Sequence, residues 1–258
     1  MHLLDQLERP VIFAHRGASV YAPENTLSAF ELAVKLGAKA IELDTMLSSD
    51  GIPVVIHDHT LERTTDGHGH VNSHNYSDLS RLDAGSWFSD AFKGEKIPSL
   101  HKVLESISNK ILVNIELKNY HAPHDNLAEM VIQLVDKLHV WDSVLFSSFL
   151  PRNLKYLRIK NPDAKIALLC PPGIKGWIFR SSFYYGLSPA IIHPAVWDVD
   201  LKYIEREHHR GRRVHVWTVN DKTKANDLFI SNVDGIFTDD LRSMFEVLRL
   251  FRPQEKNY

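Results

Sequence analysis

The sequence has little of what marks several protein classes. Its 258 residues include one cysteine, Cys170, which rules out an internal disulfide and is typical of a reducing compartment. Lys plus Arg (30) nearly balances Asp plus Glu (32), so there is no basic excess of the kind that nucleic-acid-binding surfaces carry. No apolar run approaches the roughly 18 residues of a membrane span, and the first ten residues lack a signal-peptide core. These absences predict a cytoplasmic protein that binds neither nucleic acid nor, stably, a membrane.

In the sequence, short apolar runs alternate with longer segments whose apolar residues recur with the period of an α-helix, such as residues 24–37 and 125–139. Eight apolar runs alternating with helices predict an α/β fold, a (β/α)8 TIM barrel that forms one domain over residues 1–258. The reactive groups of such barrels lie at the carboxyl ends of the strands. The predicted strands are 11–15, 40–44, 111–118, 143–148, 165–170, 190–194, 213–219 and 235–239.

One apolar run does not fit as a further barrel strand. IPVVIH (52–57) follows AIELD (40–44) after too few residues for a parallel crossover, which needs about a dozen. Asp50-Gly51 is instead typical of a hairpin turn. The chain is therefore predicted to leave the barrel after residue 44 and to return, which brings His57 back toward the end of the second strand.

Two longer segments also lie outside the alternation. Residues 58–98 are polar and rich in Gly and His, and we interpret them as a small insertion over the barrel mouth. Three of their histidines (His68, His70 and His74) suggest zinc, but a solvated loop is favoured because no rigid scaffold holds them. Residues 171–188 are rich in aromatics and predict either a wall of a substrate pocket or a helix packed on the barrel.

Acidic residues occupy the ends of two predicted strands. Glu42 and Asp44 are two residues apart, so their side chains point to the same side of the second strand. Glu116 has matching parity with Asn114 on the third. Such acids either pair singly with Arg or Lys at the rim or jointly hold a cation. For three acids at matching strand ends we favour one hard divalent cation, Mg²⁺ or Ca²⁺, which prefers oxygen ligands.

Histidines and cations are predicted to reach the same mouth. His15 and His57 each end a strand or hairpin arm, and two imidazoles beside a reacting centre suit general acid–base catalysis. Arg16 and Lys118, placed beside a metal site, suggest a bound phosphate. Gly17 then lets the backbone turn without steric cost.

Several further residues allow two interpretations. Trp217 has inward parity on the seventh strand and either stacks on a substrate or belongs to the core. Cys170 is favoured as a buried structural residue over a nucleophile, because no base is placed for it. His215, in mid-strand, is favoured as a core histidine. Residues 24–26 (Glu-Asn-Thr) either cap the first helix or line the rim.

With these motifs the sequence resembles the glycerophosphodiester phosphodiesterases. The resemblance covers nearly the whole chain, through AHRGASVYAPENT, IELDTMLSSDGIPVVIHDHTLERTTDG, NIELKN, VWTVN and DGIFTDD in that order. It implies a TIM barrel with a small insertion after the second strand. It also implies hydrolysis of small glycerophosphodiesters, such as glycerophosphocholine and glycerophosphoethanolamine, to glycerol 3-phosphate and an alcohol.

Carried over motif by motif, the resemblance also implies a role for individual residues. His15 and His57 are the catalytic pair, and the nucleophile is either water or the glycerol 2-hydroxyl. The remaining matches are the acids that bind the divalent metal (Glu42, Asp44 and Glu116), the phosphate-contacting cations (Arg16 and Lys118) and the tryptophan beside the substrate (Trp217).

Three alternative functions would each require a different sequence feature. A lipid-acting phospholipase of the same barrel type needs an apolar or basic rim that docks on bilayers. A non-catalytic barrel that binds phosphate esters should lack one of the two histidines or three acids, and none is missing. A zinc amidohydrolase-type barrel expects an HxH pair on the first strand, where VIFAHRG has a single histidine.

Overall fold

In the computed structural model, which describes residues 1–107, 111–180 and 190–251, parallel strands close into a barrel with helices on its outside. This confirms the (β/α)8 barrel predicted from the sequence. The barrel strands are β1 (Val11–Ala14), β2 (Ala40–Leu47), β4 (Leu112–Leu117), β5 (Val144–Ser148), β6 (Ile166–Cys170), β7 (Ile191–Pro194), β8 (Arg213–Val216) and β9 (Gly235–Thr238). A short strand, β3 (Pro53–Val55), lies outside the ring.

The helices follow the strands in alternation. A short helix precedes the barrel, and another lies in the segment after β3. The helices are α1 (Leu3–Gln6), α2 (Leu27–Lys35), α3 (Tyr76–Leu79), α4 (Leu100–Ile107), α5 (Leu127–Leu138), α6 (Pro151–Lys160), α7 (Gly173–Arg180), α8 (Leu201–His209), α9 (Lys222–Ile230) and α10 (Leu241–Phe251). In the described ranges, no helix has both the length and the apolar character needed to cross a bilayer.

The ring closes where the first strand meets both the second and the last. Phe13 is in register with Ala40 on β2 and with Phe237 on β9. The order around the ring is β1, β2, β4, β5, β6, β7, β8, β9 and back to β1. Because the ring is closed, the carboxyl ends of all eight strands surround one opening.

Alternation along each strand decides which side chains enter the barrel. Ala40 and Leu112 belong to an apolar cluster inside the barrel. Glu42 and Asp44 have the parity of Ala40, and the β2–β4 register places Asp44 opposite Glu116. The lower part of the barrel is therefore apolar, and charged groups point inward nearer the carboxyl ends.

The predicted excursion after the second strand is present as a hairpin. β2 runs three residues beyond the predicted end at residue 44 and pairs antiparallel with β3, with Thr45 opposite Val55. Gly51 forms the turn with φ of +78°, where a glycine avoids the strain that a side chain would cause. The amide of Ile56 donates a hydrogen bond of 3.1 Å to the carbonyl of Asp44. This bond holds the next residue, His57, beside the end of β2.

Residues 58–98 pack around a small apolar cluster of their own. The cluster also receives side chains from β2 and β3, and a hydrogen bond from Ser28 to Glu95 joins the segment to α2. Its assignment as an insertion over the barrel mouth stays a prediction. The buried cluster residues are Met46, Val54, Ile56, Leu61, Val71, Leu79, Ala84 and Ile97.

Three of the ambiguous sequence features now have a position, in whole or in part. Thr26 is the N-cap of α2, since its hydroxyl accepts a hydrogen bond from the amide of Ala29. Cys170 is buried, as predicted. Of the aromatic segment 171–188, the part up to residue 180 forms α7, and residues 181–188 lie outside the described residues.

Candidate active site

A cavity of about 110 Å³ lies at the carboxyl ends of the barrel strands. It brings together residues from opposite ends of the chain. Asp44 does not line it directly but contacts Lys118 in its wall, with 3.6 Å between Oδ1 and Nζ. The other seven site residues predicted from the sequence all line the cavity: His15, Arg16, Glu42, His57, Glu116, Lys118 and Trp217.

Three buried carboxylates, two of which line this cavity, form one group. Glu42, Asp44 and Glu116 each offer an oxygen atom, and these atoms lie within 4.8 Å of one another. In the part of the chain that the structure describes, this is the one group of three or more His, Cys, Asp or Glu side chains with the spacing of a metal site. Oxygen-only donor sets suit hard divalent cations rather than zinc.

The electrostatics of the three carboxylates fit such a cation. Burial, reinforced by repulsion from Asp44 and Glu116, raises the pKa of Glu42 well above its usual value. Burial also opposes ionisation of Asp44, but Arg16 and Lys118 outweigh this effect and lower the pKa of Asp44. Arg16 and Lys118 thus leave the charge of an ionised Glu42 without sufficient compensation. We therefore take the group as a candidate divalent metal site.

Two cationic side chains flank the carboxylates. Arg16 places Nε 3.3 Å from Oδ2 of Asp44 and Nη1 3.0 Å from Glu24, and its backbone amide donates to Glu42. Lys118 Nζ lies 3.5 Å from Oε1 of Glu116. Burial works against both charges, yet the neighbouring carboxylates raise the pKa of Arg16 and of Lys118. Both side chains are thus fully charged at neutral pH.

The two histidines predicted to be catalytic, His15 and His57, are each hydrogen-bonded to an aspartate. Nδ1 of His15 donates to Asp239 over 2.7 Å, and its Nε2 lies 4.0 Å from Glu42. Nδ1 of His57 donates to Asp58 over 2.5 Å. A carboxylate only accepts, so in each ring the proton is on Nδ1 and Nε2 is the free nitrogen in the neutral form.

The comparisons with known proteins decide the family. Residues 15–243 match the glycerophosphoryl diester phosphodiesterase family. The chain belongs to this family. A glycerophosphodiester phosphodiesterase of Caldanaerobacter subterraneus subsp. tengcongensis is 36% identical to this family member over 245 residues, which cover 93% of this chain and 98% of the relative.

Solved structures agree with this membership of the glycerophosphoryl diester phosphodiesterase family. A phosphodiesterase of Oleispira antarctica, in complex with the product sn-glycerol-3-phosphate, matches with a TM-score of 0.86 and 30% identity over 96% of this chain and 99% of that chain. A glycerophosphodiester phosphodiesterase of Agrobacterium tumefaciens matches with a TM-score of 0.76 and 32% identity, over 91% and 98%. The family predicted from the sequence motifs is confirmed.

For this member of the glycerophosphoryl diester phosphodiesterase family, sequence reasoning left Asn25 open between a helix cap and the rim, and it missed Asp58 and Arg63. Asn25 has φ of +59°. Its Nδ2 donates a hydrogen bond to the carboxylate of Asp44, and its Oδ1 accepts one from the backbone amide of Asp44. Arg63 bridges Asp58 and Glu24. All of these residues stand inside the motifs that carry the resemblance, but only their contacts distinguish them from ordinary surface polar groups.

The far side of the cavity is mostly apolar. Phe149, Leu169 and Phe237 line it together with Trp217, which follows directly after β8. The Trp217 indole donates a hydrogen bond of 2.7 Å to the carbonyl of His193, and its ring meets Phe149 edge to face. The cavity thus has a charged half on β1, β2 and β4 and a mostly apolar half on the remaining strands.

Proposed function

We propose that this chain is a phosphodiesterase that hydrolyses small glycerophosphodiesters to glycerol 3-phosphate and an alcohol. The observation that carries the proposal is the convergence of two imidazoles, two cations and three carboxylates on one cavity in a member of this family. The Oleispira antarctica relative holds sn-glycerol-3-phosphate, which supports that product. Glycerophosphocholine and glycerophosphoethanolamine are the substrates to test first.

Glu42, Asp44 and Glu116 would hold one divalent cation, Mg²⁺ or Ca²⁺. When bound, such a cation stabilises the charge that develops on a phosphoryl oxygen. The three side chains are pre-positioned for this, because the β2–β4 register and the hydrogen bonds of Asn25 and Tyr120 orient them. Their mutual repulsion in the metal-free protein favours cation binding.

Arg16 and Lys118 would bind the phosphoryl oxygens. Arg16 presents a planar fork and Lys118 a point charge, and both remain charged at neutral pH. Both already contact Asp44, so their heads are held at the cavity wall rather than free in solvent. Negative charge that grows on the phosphoryl group in the transition state is stabilised by these preorganised cations.

His15 and His57 would transfer the protons. One free Nε2 removes the proton from the attacking oxygen, either water or the glycerol 2-hydroxyl. The other imidazole, in its protonated form, donates a proton to the alkoxide that leaves as the P–O bond breaks. If the 2-hydroxyl attacks, the cyclic phosphate is then opened by water with the two roles exchanged. Asp239 and Asp58 hold the two rings in the required tautomer.

The alternatives are not favoured. The non-catalytic barrel requires the loss of a histidine or acid, and all five of these residues are present. The amidohydrolase type requires two histidines on the first strand, and β1 (VIFA) contains neither. The lipid-acting phospholipase has no support from the relatives described above, whose names and bound product concern glycerophosphodiesters.

The test is coupled detection of glycerol 3-phosphate from a panel of glycerophosphodiesters, with EDTA and after adding back Mg²⁺ or Ca²⁺. We expect turnover that EDTA abolishes and one of the cations restores. His15→Ala and His57→Ala should each lose at least about 10²–10⁴ in kcat. His209→Ala, which removes an exposed histidine of α8, is the control. A His15 or His57 variant within tenfold of wild type would refute the assignment.

A further inference from the structure

One polar group in the apolar half of the cavity is not used by this mechanism. His193 on β7 is fully buried and lines the cavity. Its Nε2 is 3.2 Å from Nδ1 of His215, so the two rings share one hydrogen bond. Its Nδ1 is buried and has no hydrogen-bond partner within the described ranges 1–107, 111–180 and 190–251. A buried polar atom without a partner is costly, so a hydrogen bond from a ligand group to Nδ1 would be favourable.

His193 lies across the barrel from the carboxylates. Around the ring, β7 is the fourth strand from β2 in either direction, through β4, β5 and β6 or through β1, β9 and β8. A substrate whose phosphate contacts Arg16 and Lys118 can therefore extend its remaining atoms toward β7. Leu169 and Phe237 line that side, which leaves the His193 ring as a polar contact among apolar walls.

The group that meets Nδ1 must be uncharged. Burial lowers the pKa of His193 to about 3 and that of His215 well below its usual value, so both rings are neutral. Depending on which ring donates in the shared hydrogen bond, Nδ1 of His193 either accepts or donates. A hydroxyl can meet both states. An ammonium or trimethylammonium head group would lose its hydration in this half of the cavity without a counter-charge.

We propose that Nδ1 of His193 hydrogen-bonds the terminal hydroxyl of the substrate's glycerol, which makes His193 a specificity-determining residue. The terminal hydroxyl is the glycerol oxygen farthest from the phosphorus, and so it reaches farthest toward β7. The inference rests on the proposed function. It predicts selection for diesters that carry this hydroxyl over analogues that lack it.

The test compares glycerophosphocholine with the analogue in which propane-1,2-diol replaces glycerol, so that only the terminal hydroxyl is missing. Choline release measures both reactions. Wild type should prefer the glycerol ester about tenfold to a hundredfold in kcat/KM, because the analogue leaves Nδ1 unpaired. His193→Asn keeps an amide near the position of Nδ1 and should retain most of this preference. His193→Gln directs its amide toward His215 and should reduce the preference to within threefold.

The two variants remove the same ring. If His193 had only a structural role, each variant would lower kcat/KM for both substrates together and leave the ratio of the two kcat/KM values unchanged. An unchanged ratio in His193→Gln, or no preference in wild type, would overturn the inference. If the wild-type protein hydrolyses neither ester, that result refutes the proposed function and does not test the inference about His193. The inference is then decided by calorimetric binding of sn-glycerol 3-phosphate against propane-1,2-diol 1-phosphate, where equal affinities for wild type would refute it.

If a variant does not fold, the inference can be tested on the wild-type protein by NMR. The imidazole ¹⁵N resonances of His193 should shift when sn-glycerol 3-phosphate binds and remain in place when inorganic phosphate binds. The same response to both ligands would contradict a hydroxyl contact at Nδ1.

Discussion

The carboxylate of Asp239 accepts a hydrogen bond of 2.7 Å from Nδ1 of His15, a residue 224 positions earlier in the chain. The contact spans the seam where β9 pairs with β1. Asn220 donates to the second oxygen of Asp239 over 2.6 Å, and the hydroxyl of Ser19 donates to the first. Burial opposes ionisation, but His15 and Asn220 hold the pKa of Asp239 at about 2. The carboxylate is thus charged and fixed beneath the imidazole.

This contact predicts that Asp239 is a positioning residue for His15. Asp239→Asn keeps the shape of the side chain but can donate to Nδ1, which would put the ring proton on Nε2. We expect kcat for glycerophosphocholine to fall by roughly 10²–10⁴ with a much smaller change in KM. Steady-state kinetics measure both parameters.

The neighbouring acid provides the control for that variant. Asp240 contacts Tyr21 and Ser243 instead of His15. Asp240→Asn should therefore leave kcat within about threefold of wild type. Equal effects of the two substitutions would show that the contact to His15 has no positioning role.

The raised pKa of Glu42 predicts an unusual stability effect. The pKa of Glu42 is higher in the folded protein than in the unfolded chain. Its contribution to stability is therefore fully present below the unfolded-state pKa, and it is lost as the pH rises through the folded-state pKa. Glu42→Gln remains neutral, so at pH 8 and without metal it should unfold at a higher temperature than wild type. A rise of about 2–4 °C is expected per kcal/mol of repulsion removed.

Metal addition should reverse that order. Mg²⁺ or Ca²⁺ should raise the melting temperature of wild type and have little effect on Glu42→Gln, because a ligand has been lost. Glu31→Gln, on the exposed side of α2, serves as the matched control and should behave like wild type in both conditions. Destabilisation of the metal-free Glu42→Gln protein would contradict the predicted repulsion.

The buried pair His193 and His215 predicts acid lability. Burial depresses both pKa values, so between the unfolded value of about 6.5 and the folded value of about 3 for His193 the unfolded state binds more protons. The free energy of unfolding should therefore fall as pH drops below 6.5, by up to about 1.4 kcal/mol per unit and per histidine.

Urea unfolding at pH 7.0 and 5.5 in the presence of EDTA measures this dependence. His193→Gln removes one of the two titrating rings, so its loss of stability between these values should be smaller by about 1 kcal/mol. His139→Gln, which lies outside this buried pair, should keep the wild-type dependence. The same pH dependence in all three proteins would rule out the buried pair as its source.

Gly17 is predicted to be required for close packing of the first loop on α2. It has φ of +87°, and a Cβ atom there would lie 2.7 Å from Cβ of Ala29 and 2.8 Å from its carbonyl carbon. Gly51, at φ of +78°, has open space at the same position. The left-handed backbone lowers the free energy of unfolding of both alanine variants by about 1–2 kcal/mol. Only Gly17→Ala adds a steric clash, which costs roughly 1–3 kcal/mol more. Thermal unfolding should place Gly17→Ala several degrees below Gly51→Ala; similar values would exclude the clash.

Much of this architecture could be predicted because local chemistry determines it. The eight strands were recognisable as short apolar runs, since strands of a closed parallel barrel are buried on both faces. The hairpin followed from Asp50-Gly51 and from a connection too short for a crossover. The parity of Glu42 and Asp44 followed from the two-residue period of a strand.

Other expectations were left open by the same local chemistry. Residues 24–26 were equally compatible with a helix cap and with the rim of the site. The structure divides these roles: Thr26 caps α2, while Asn25 binds Asp44 and Glu24 binds Arg16. A left-handed residue such as Asn25 turns its side chain toward a partner that sequence spacing does not indicate.

The sequence by itself determined the barrel and the approximate positions of its strands, because hydrophobic periodicity and turn chemistry act between neighbours along the chain. Only the tertiary structure decided that Asp239 contacts His15 and that His193 lies across the barrel from the carboxylates. Those relationships depend on ring closure, strand register and the burial of particular atoms. Such quantities arise when residues far apart in the chain are brought together by the fold, and no local pattern encodes them.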